Sequence, residues 1–151
     1  GEAIDSPLGQ TGPGMEILPR SERKVPLLVT GGSQQELSWI ADNADGWMVY
    51  PRSPAAQTNT VHALREAGAD KTPVLQPLYV DVLDDPKAPP RPIHLGLQTG
   101  IEGLKAYLHQ VQDAGIQHVA LNLRFNRAPM EDTLRRLADA LFSEFPSGEE
   151  A

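Results

Sequence analysis

Val25-Pro26-Leu27-Leu28-Val29-Thr30-Gly31-Gly32-Ser33-Gln34-Gln35-Glu36-Leu37-Ser38-Trp39-Ile40-Ala41-Asp42-Asn43-Ala44-Asp45-Gly46-Trp47-Met48-Val49-Tyr50 is the stretch on which the reading of this sequence turns. Val25–Thr30 is a short apolar run of strand length, and Gly31-Gly32 breaks it. Ser33-Gln34-Gln35-Glu36 has the spacing of a capping box, in which the Ser hydroxyl and Glu carboxylate satisfy amide donors at a helix start. Leu37, Ile40, Ala41 and Ala44 then recur at i, i+3, i+4 and i+7, which makes one apolar helical face. Asp45-Gly46 turns the chain into Trp47-Met48-Val49-Tyr50, a second strand. The stretch predicts one strand-helix-strand unit.

The pattern continues toward the C-terminus. A helix around Gln57–Ala67 turns Val61 and Leu64 inward and stops at Gly68. Val74–Leu83 carries a third strand, in which Pro77 forbids a full ladder of hydrogen bonds. Asp84–Gln98 reads as a long Pro-rich loop. Thr99-Gly100-Ile101-Glu102 is another capping box, followed by a helix face of Ile101, Leu104, Leu108 and Val111 that ends at Gly115. His118–Leu123 is the fourth strand. Pro129 suits the first turn of a helix, whose stripe is Leu134, Leu137, Leu141 and Phe145. Residues 1–24 are irregular with at most one short strand, at Met15–Leu18, and 146–151 form a frayed tail. The expected body is therefore 25–145, four β-α units of about 30 residues each.

Strands alternating with helices at this spacing predict an α/β protein with a parallel sheet covered by helices. The near-continuous apolar run Val25–Val29 fits a strand buried on both faces. Two architectures satisfy the pattern: an open doubly wound sheet, or half of a (β/α)8 barrel. A whole barrel takes ~250 residues and at least ~200, so 151 residues cannot hold one. The periodicity leaves both architectures open.

Composition narrows the function. Thirteen Lys and Arg against 20 Asp and Glu leave a net charge of −7, opposite to what nucleic acid or an anionic membrane attracts. No apolar run approaches the ~20 residues of a membrane span, and no basic-then-apolar leader is read at the start. A cytoplasmic protein is expected. The absence of cysteine removes disulfides, a thiol nucleophile and thiolate metal ligands. His62, His94, His109 and His118 have no second ligand at metal-binding spacing, so no metal site is expected.

The sharpest chemical signal is the passage from strand through Gly31-Gly32-Ser33 into a helix. Glycines let backbone approach a ligand, and helix-start amides with the helix dipole attract an anion. An ordinary tight βα turn with a capped helix explains the same residues. Other candidates lie at predicted strand ends, where parallel α/β folds place their ligands: Arg52 after Tyr50-Pro51, Asp81, Asn122 and Arg124. Trp39 and Trp47 are expected in the core. No catalytic acid or base can be named.

Val25–Ser33 followed by Trp39-Ile40-Ala41-Asp42-Asn43-Ala44-Asp45-Gly46-Trp47 resembles the later half of luciferase-like flavin monooxygenases. Tyr50-Pro51-Arg52, His94-Leu95-Gly96-Leu97 and Gly115–Leu123 are similar to later steps of the same family. The likeness spans about Val25 to Phe145. It implies the C-terminal half of a TIM-type (β/α)8 barrel, the four units standing for barrel strands five to eight. It further implies a flavin-dependent oxidoreductase, expected to be a monooxygenase acting on a small organic substrate with O2. The implied cofactor is FMN or, alternatively, a deazaflavin. Gly31, Gly32 and Ser33 match the family's phosphate loop, with Arg52, Asn122 and Arg124 on the same rim. A flavin reductase and a second copy of the chain are the expected partners. The family's first four units have no counterpart here, so the alternative is a half-barrel module, self-associating or truncated, without catalysis of its own.

Overall fold

In the computed structural model, which describes residues 23–145 and two short strands before them, the chain folds as alternating strands and helices. The preceding strands, β1 (Asp5–Ser6) and β2 (Gly9–Gln10), pair antiparallel with each other. The expected strand at Met15–Leu18 and the expected frayed tail at 146–151 lie outside the described residues. The body comprises β3 (Leu28–Thr30), α1 (Leu37–Asn43), β4 (Gly46–Met48), α2 (Pro54–Glu66), β5 (Val74–Val82), β6 (Arg91–Ile93), β7 (Gly96–Thr99), α3 (Ile101–Asp113), β8 (His118–Asn122) and α4 (Met130–Leu141). No helix among the described residues is long and apolar enough to cross a membrane.

Four strands run parallel in the order β3-β4-β5-β8, each followed by a helix, which for β5 comes after the β6–β7 hairpin. The order follows the sequence, as in a partial TIM-type sheet. Side chains alternate in direction along a strand. Val29, Trp47, Val49, Val74, Leu78, Val80, Val82, Val119 and Leu121 point to the helices and pack with Ile40, Leu64, Leu104, Val111 and Leu137. Each large side chain so buried stabilises by roughly 1.5–3 kcal/mol. By the same alternation Leu28, Thr30, Met48, Tyr50, Pro77, Tyr79, Ala120 and Asn122 take the other face.

Pro77 ends the ladder with β4, because the register Met48↔Leu75 sets its nitrogen opposite the Val49 carbonyl and it has no N–H to donate. The β5 backbone groups of odd number face β4 and then β7: Trp47 and Val49 donate to the carbonyls of Pro73 and Leu75 (2.9 and 2.8 Å), and Tyr79 donates to Leu95 O (3.1 Å). Pro77 falls between the end of β4 pairing and the start of β7 pairing. Its even-numbered neighbours face β8, where Val82 N donates to Asn126 Oδ1 (3.0 Å).

Several expectations are corrected. The loop expected at Asp84–Gln98 contains the hairpin β6–β7, antiparallel within itself, with β7 parallel to β5. Ser33 and Glu36 form no capping box, because Ser33 and Gln34 are left-handed (φ 45° and 58°) and α1 begins only at Leu37. Thr99 is likewise not a cap: it ends β7, Gly100 takes the N-cap, and the Thr99 hydroxyl donates to Ala88 O (3.2 Å). The cap that does form is at Ser53, which accepts from Ala56 N with Pro54 next, so α2 starts before Gln57. Val25 and Leu27 precede the strand, and Val29 is its buried residue; Val25 is 70% exposed. Trp39 is 39% exposed rather than in the core, and Thr133 takes the buried place expected for Leu134. Among the described residues these exposed apolar groups belong to the two ends of the four-strand row, around β3 and α1 and around β8 and α4.

Asp45 fastens the β3 end. Its Oδ2 accepts from Leu27 N (2.9 Å), its Oδ1 from Lys24 Nζ (2.6 Å), and its own N–H donates to Leu27 O (2.8 Å). The backbone bond from Leu27, then the bond from Lys24, hold its carboxyl below the ordinary value of 3.8. A lowered pKa contributes stability above the ordinary value, and this is lost as pH falls through the lowered one. Acid titration of stability should therefore show a smaller loss below about pH 4 in Asp45→Asn than in the parent. A second expectation concerns the hairpin: a Cβ at Gly96 would overlap the Tyr79 carbonyl, whereas one at Gly32 meets nothing within 4 Å. Urea unfolding should show Gly96→Ala destabilised by about 2–4 kcal/mol, with the Gly32→Ala midpoint unchanged.

Candidate functional site

Ligands of parallel α/β sheets sit at the carboxyl ends of the strands, and the polar residues of this chain collect there. At the end of β3 the chain makes a tight turn in which Gly31, Ser33 and Gln34 are left-handed (φ 59°, 45° and 58°). Left-handed non-glycine residues cost on the order of 1 kcal/mol each, and the turn is held from β4. Gly31 N donates to Met48 O (2.8 Å), and Trp47 Nε1 donates to Gly31 O (2.7 Å). Ser33 Oγ donates to Thr30 O (2.7 Å), and Gln35 N to Gly32 O (2.7 Å). Trp47 is thus a core ring, as expected, that also pins the turn through its N–H. Gly31-Gly32-Ser33 is a loop-amide turn rather than a helix start, which corrects the expected geometry. With α1 starting four residues beyond Ser33, any anion there would meet turn amides, not the helix dipole.

The remaining candidates are spread along the same rim. Arg52 follows β4 and donates through Nη1 to Thr60 Oγ1 (3.0 Å). Asn122 ends β8 and accepts, through Oδ1, from Arg124 N (3.0 Å). Arg124 lies over the Phe125 ring, its guanidinium carbon 5.9 Å from the centroid. The strand order puts Gly31–Ser33 and Arg52 on neighbouring strands, and Asn122 with Arg124 at the far end, three spacings of ~4.8 Å or roughly 14 Å from β3.

Between them, at the end of β5, stands Asp81, whose side chain is 4% exposed. Gln98 Nε2 donates to its Oδ2 (2.7 Å), Arg127 N to its Oδ1 (3.1 Å), and Arg127 Nε is 3.5 Å from Oδ2. The carboxylate thereby joins β5, the hairpin and the β8–α4 connection. Beside it Tyr79 packs against Phe125 and His94, centroids 5.0 and 6.4 Å away. The sequence placed Asp81 late in a strand. Its partners were hidden because Gln98 belongs to a hairpin read as loop.

Two cavities flank that hairpin. One, of about 350 Å³, lies among Arg52, Ser53, Leu78, Ile93, Leu95 and Tyr107. Burial pushes the Tyr107 hydroxyl above its ordinary pKa, opposed by the Gln76 amide that donates to its oxygen (2.9 Å). The phenol therefore stays protonated at neutral pH and is a donor. Gln76 in turn accepts from Gln57, which also donates to Tyr50 O (3.1 Å), so a buried amide chain runs under this cavity from the Tyr50-Pro51-Arg52 turn. The other cavity, of about 200 Å³, lies on the Asp81 side. Among the described residues no group of three or more His, Cys, Asp or Glu is placed to hold a metal ion.

No protein-family profile matches the chain, and no curated protein matches it. Among solved structures it is similar to an F420-dependent secondary alcohol dehydrogenase in complex with an F420-acetone adduct, with a TM-score of 0.50 at 18% identity. The likeness covers 69% of this chain and 44% of that one, so the chain spans less than half of its structural neighbour. At this identity the comparison establishes the fold: a partial β/α barrel with its parallel strands in sequential order.

The Trp47 bond to Gly31 is testable by itself. Trp47→Phe keeps a ring in the core and deletes the donor, leaving a carbonyl without its partner. It should lower stability in urea by about 1–2 kcal/mol, while Trp39→Phe, which removes an exposed indole, should change it little.

Proposed function

We propose that this chain is the cofactor-phosphate half of a flavin- or deazaflavin-dependent oxidoreductase acting on a small organic molecule. The observation that carries the reading is the Gly31–Gln34 turn at the carboxyl end of β3, on a fold shared with an F420-dependent enzyme. Gly32 has open space on its Cβ side, so a phosphate can approach the backbone there. Gly31, Gly32 and Ser33 would hold the phosphate through turn amides, with Arg52 in the turn after the adjacent strand as a second anion contact. Asn122 and Arg124, roughly 14 Å along the rim, would meet the ring end of an extended flavin. A bound flavin supplies the redox step; the protein's part is to bind it, orient it and exclude water. The dehydrogenase neighbour favours a deazaflavin and hydride transfer. The sequence resemblance favours FMN, O2 chemistry and a separate flavin reductase.

A second reading has its own observation. Among the described residues the row β3-β4-β5-β8 ends in two strand edges, and exposed apolar residues lie at both, including Leu28 and Trp39 at one and Met130, Leu134 and Phe142 at the other. Bare parallel edges recruit further strands. A self-associating half barrel without catalysis satisfies them as well as an enzyme does.

Titration with FMN and with F420, oxidised and reduced, followed by absorbance and fluorescence, tests the first reading. Saturable binding is expected for one of them, and Gly32→Asp should abolish it by setting a carboxylate against the phosphate. Gly32 is not left-handed and is unobstructed, so the substitution leaves the fold intact. Unchanged affinity in Gly32→Asp would overturn the site. No binding of either cofactor, together with a discrete dimer in solution mass, would favour the second reading.

A further inference from the structure

The cavity of about 200 Å³ beyond the hairpin is walled by Asp81, Ile93, His94, Gln98, Phe125 and Arg127. Its buried charge is the Asp81 carboxylate, and donors already engage both oxygens: Gln98 Nε2 on one, Arg127 N on the other, with Arg127 Nε 3.5 Å away. A carboxylate satisfied in this way fixes its neighbours rather than presenting itself to a cation. Arg127 is the neighbour that matters. Its main chain and Nε are tied to Asp81, while 82% of the side chain is exposed at the cavity mouth. Arg124 stands over the Phe125 ring, another wall of the cavity. One negative and two positive charges leave a local surplus of one positive charge, in a chain whose net charge is −7. The other walls include the Phe125 ring and Ile93, which are apolar.

We propose that this cavity binds a short organic carboxylate, ion-paired to Arg127, with its hydrocarbon part against Phe125 and Ile93. Asp81 is a positioning residue that holds Arg127 at the mouth. The volume lies below the ~300–1,000 Å³ typical of larger ligands, which limits the occupant to a small molecule. A planar guanidinium matches a carboxylate with two parallel bonds. Inorganic phosphate would satisfy the guanidinium equally but leave the apolar wall in water. Arg124 also lies on the rim assigned to the flavin ring, but the site rests on Arg127, Phe125 and Ile93, none of which the flavin reading uses.

Heteronuclear NMR titration of the chain with acetate, butyrate and inorganic phosphate tests this directly. Saturable shifts confined to residues 93–98 and 124–127 are expected, with butyrate tighter than acetate and phosphate. Arg127→Gln, at an exposed position that the fold does not need, should weaken butyrate about tenfold. Asp81→Asn should weaken it less, because Arg127 remains but is no longer held. Arg52→Gln, on the far side of the hairpin, should leave it unchanged. Absence of saturable shifts, or equal affinity in Arg127→Gln, would overturn the proposal. Phosphate binding as tightly as butyrate would overturn the carboxylate assignment. Butyrate binding with no FMN or F420 binding would leave this site standing and the flavin reading fallen.

Discussion

The structure depends on the ability of β5 to serve three neighbours. Nine residues long, it pairs with β8 along one edge and with β4 and then β7 along the other. Pro77 marks the handover, the place on that edge where the β4 ladder stops for want of an N–H. A proline usually disqualifies a central strand because it removes a ladder bond. Here it removes only the last bond of the β4 ladder, and the handover lets the hairpin extend the sheet past the end of β4. Without it, Asp81 would have no Gln98 beside it and neither cavity would have its shared wall.

What was legible in the sequence was legible because local pattern and tertiary packing agreed. The face Leu37, Ile40, Ala41 and Ala44 packs against the core as its spacing says, and so do Leu104, Leu108 and Val111. Gly68 and Gly115 end their helices in the left-handed conformation that glycine tolerates (φ 97° and 92°). The alternation of elements led to the four parallel strands but not to the hairpin that extends their sheet, and the family resemblance pointed to the half barrel, with which the sequential strand order is consistent.

The failures share a cause. Ser33 and Thr99 each stand three residues before a glutamate, and a capping box assumes that the serine or threonine is extended and next to the helix. Ser33 is instead inside a left-handed turn held by Trp47, and Thr99 is inside a strand held by Ala88. In both places a long-range partner overrides the local signal. The hairpin was missed for the same reason: Arg91-Pro92-Ile93 has no strand pattern of its own and is organised by β7, which is organised by β5.

The candidate site divides along the same line. Gly31, Gly32 and Ser33 were visible as a motif, but the physics of the turn differs from the physics the motif suggested. A helix start would attract an anion through its dipole; a turn of three left-handed residues offers only its own amides, and their direction depends on a tryptophan N–H sixteen residues away. Binding at such a turn is therefore coupled to β4 packing, not to α1, a helix of seven residues with no side-chain cap. The Asp81 side differs again. There a buried carboxylate is satisfied by an amide and a main-chain N–H, and the charge left over for a ligand belongs to arginine. In each case the group that would touch a ligand is set in place by a side chain far from it in sequence, Trp47 for one and Asp81 for the other, so the motif alone could name the turn but not what orients it.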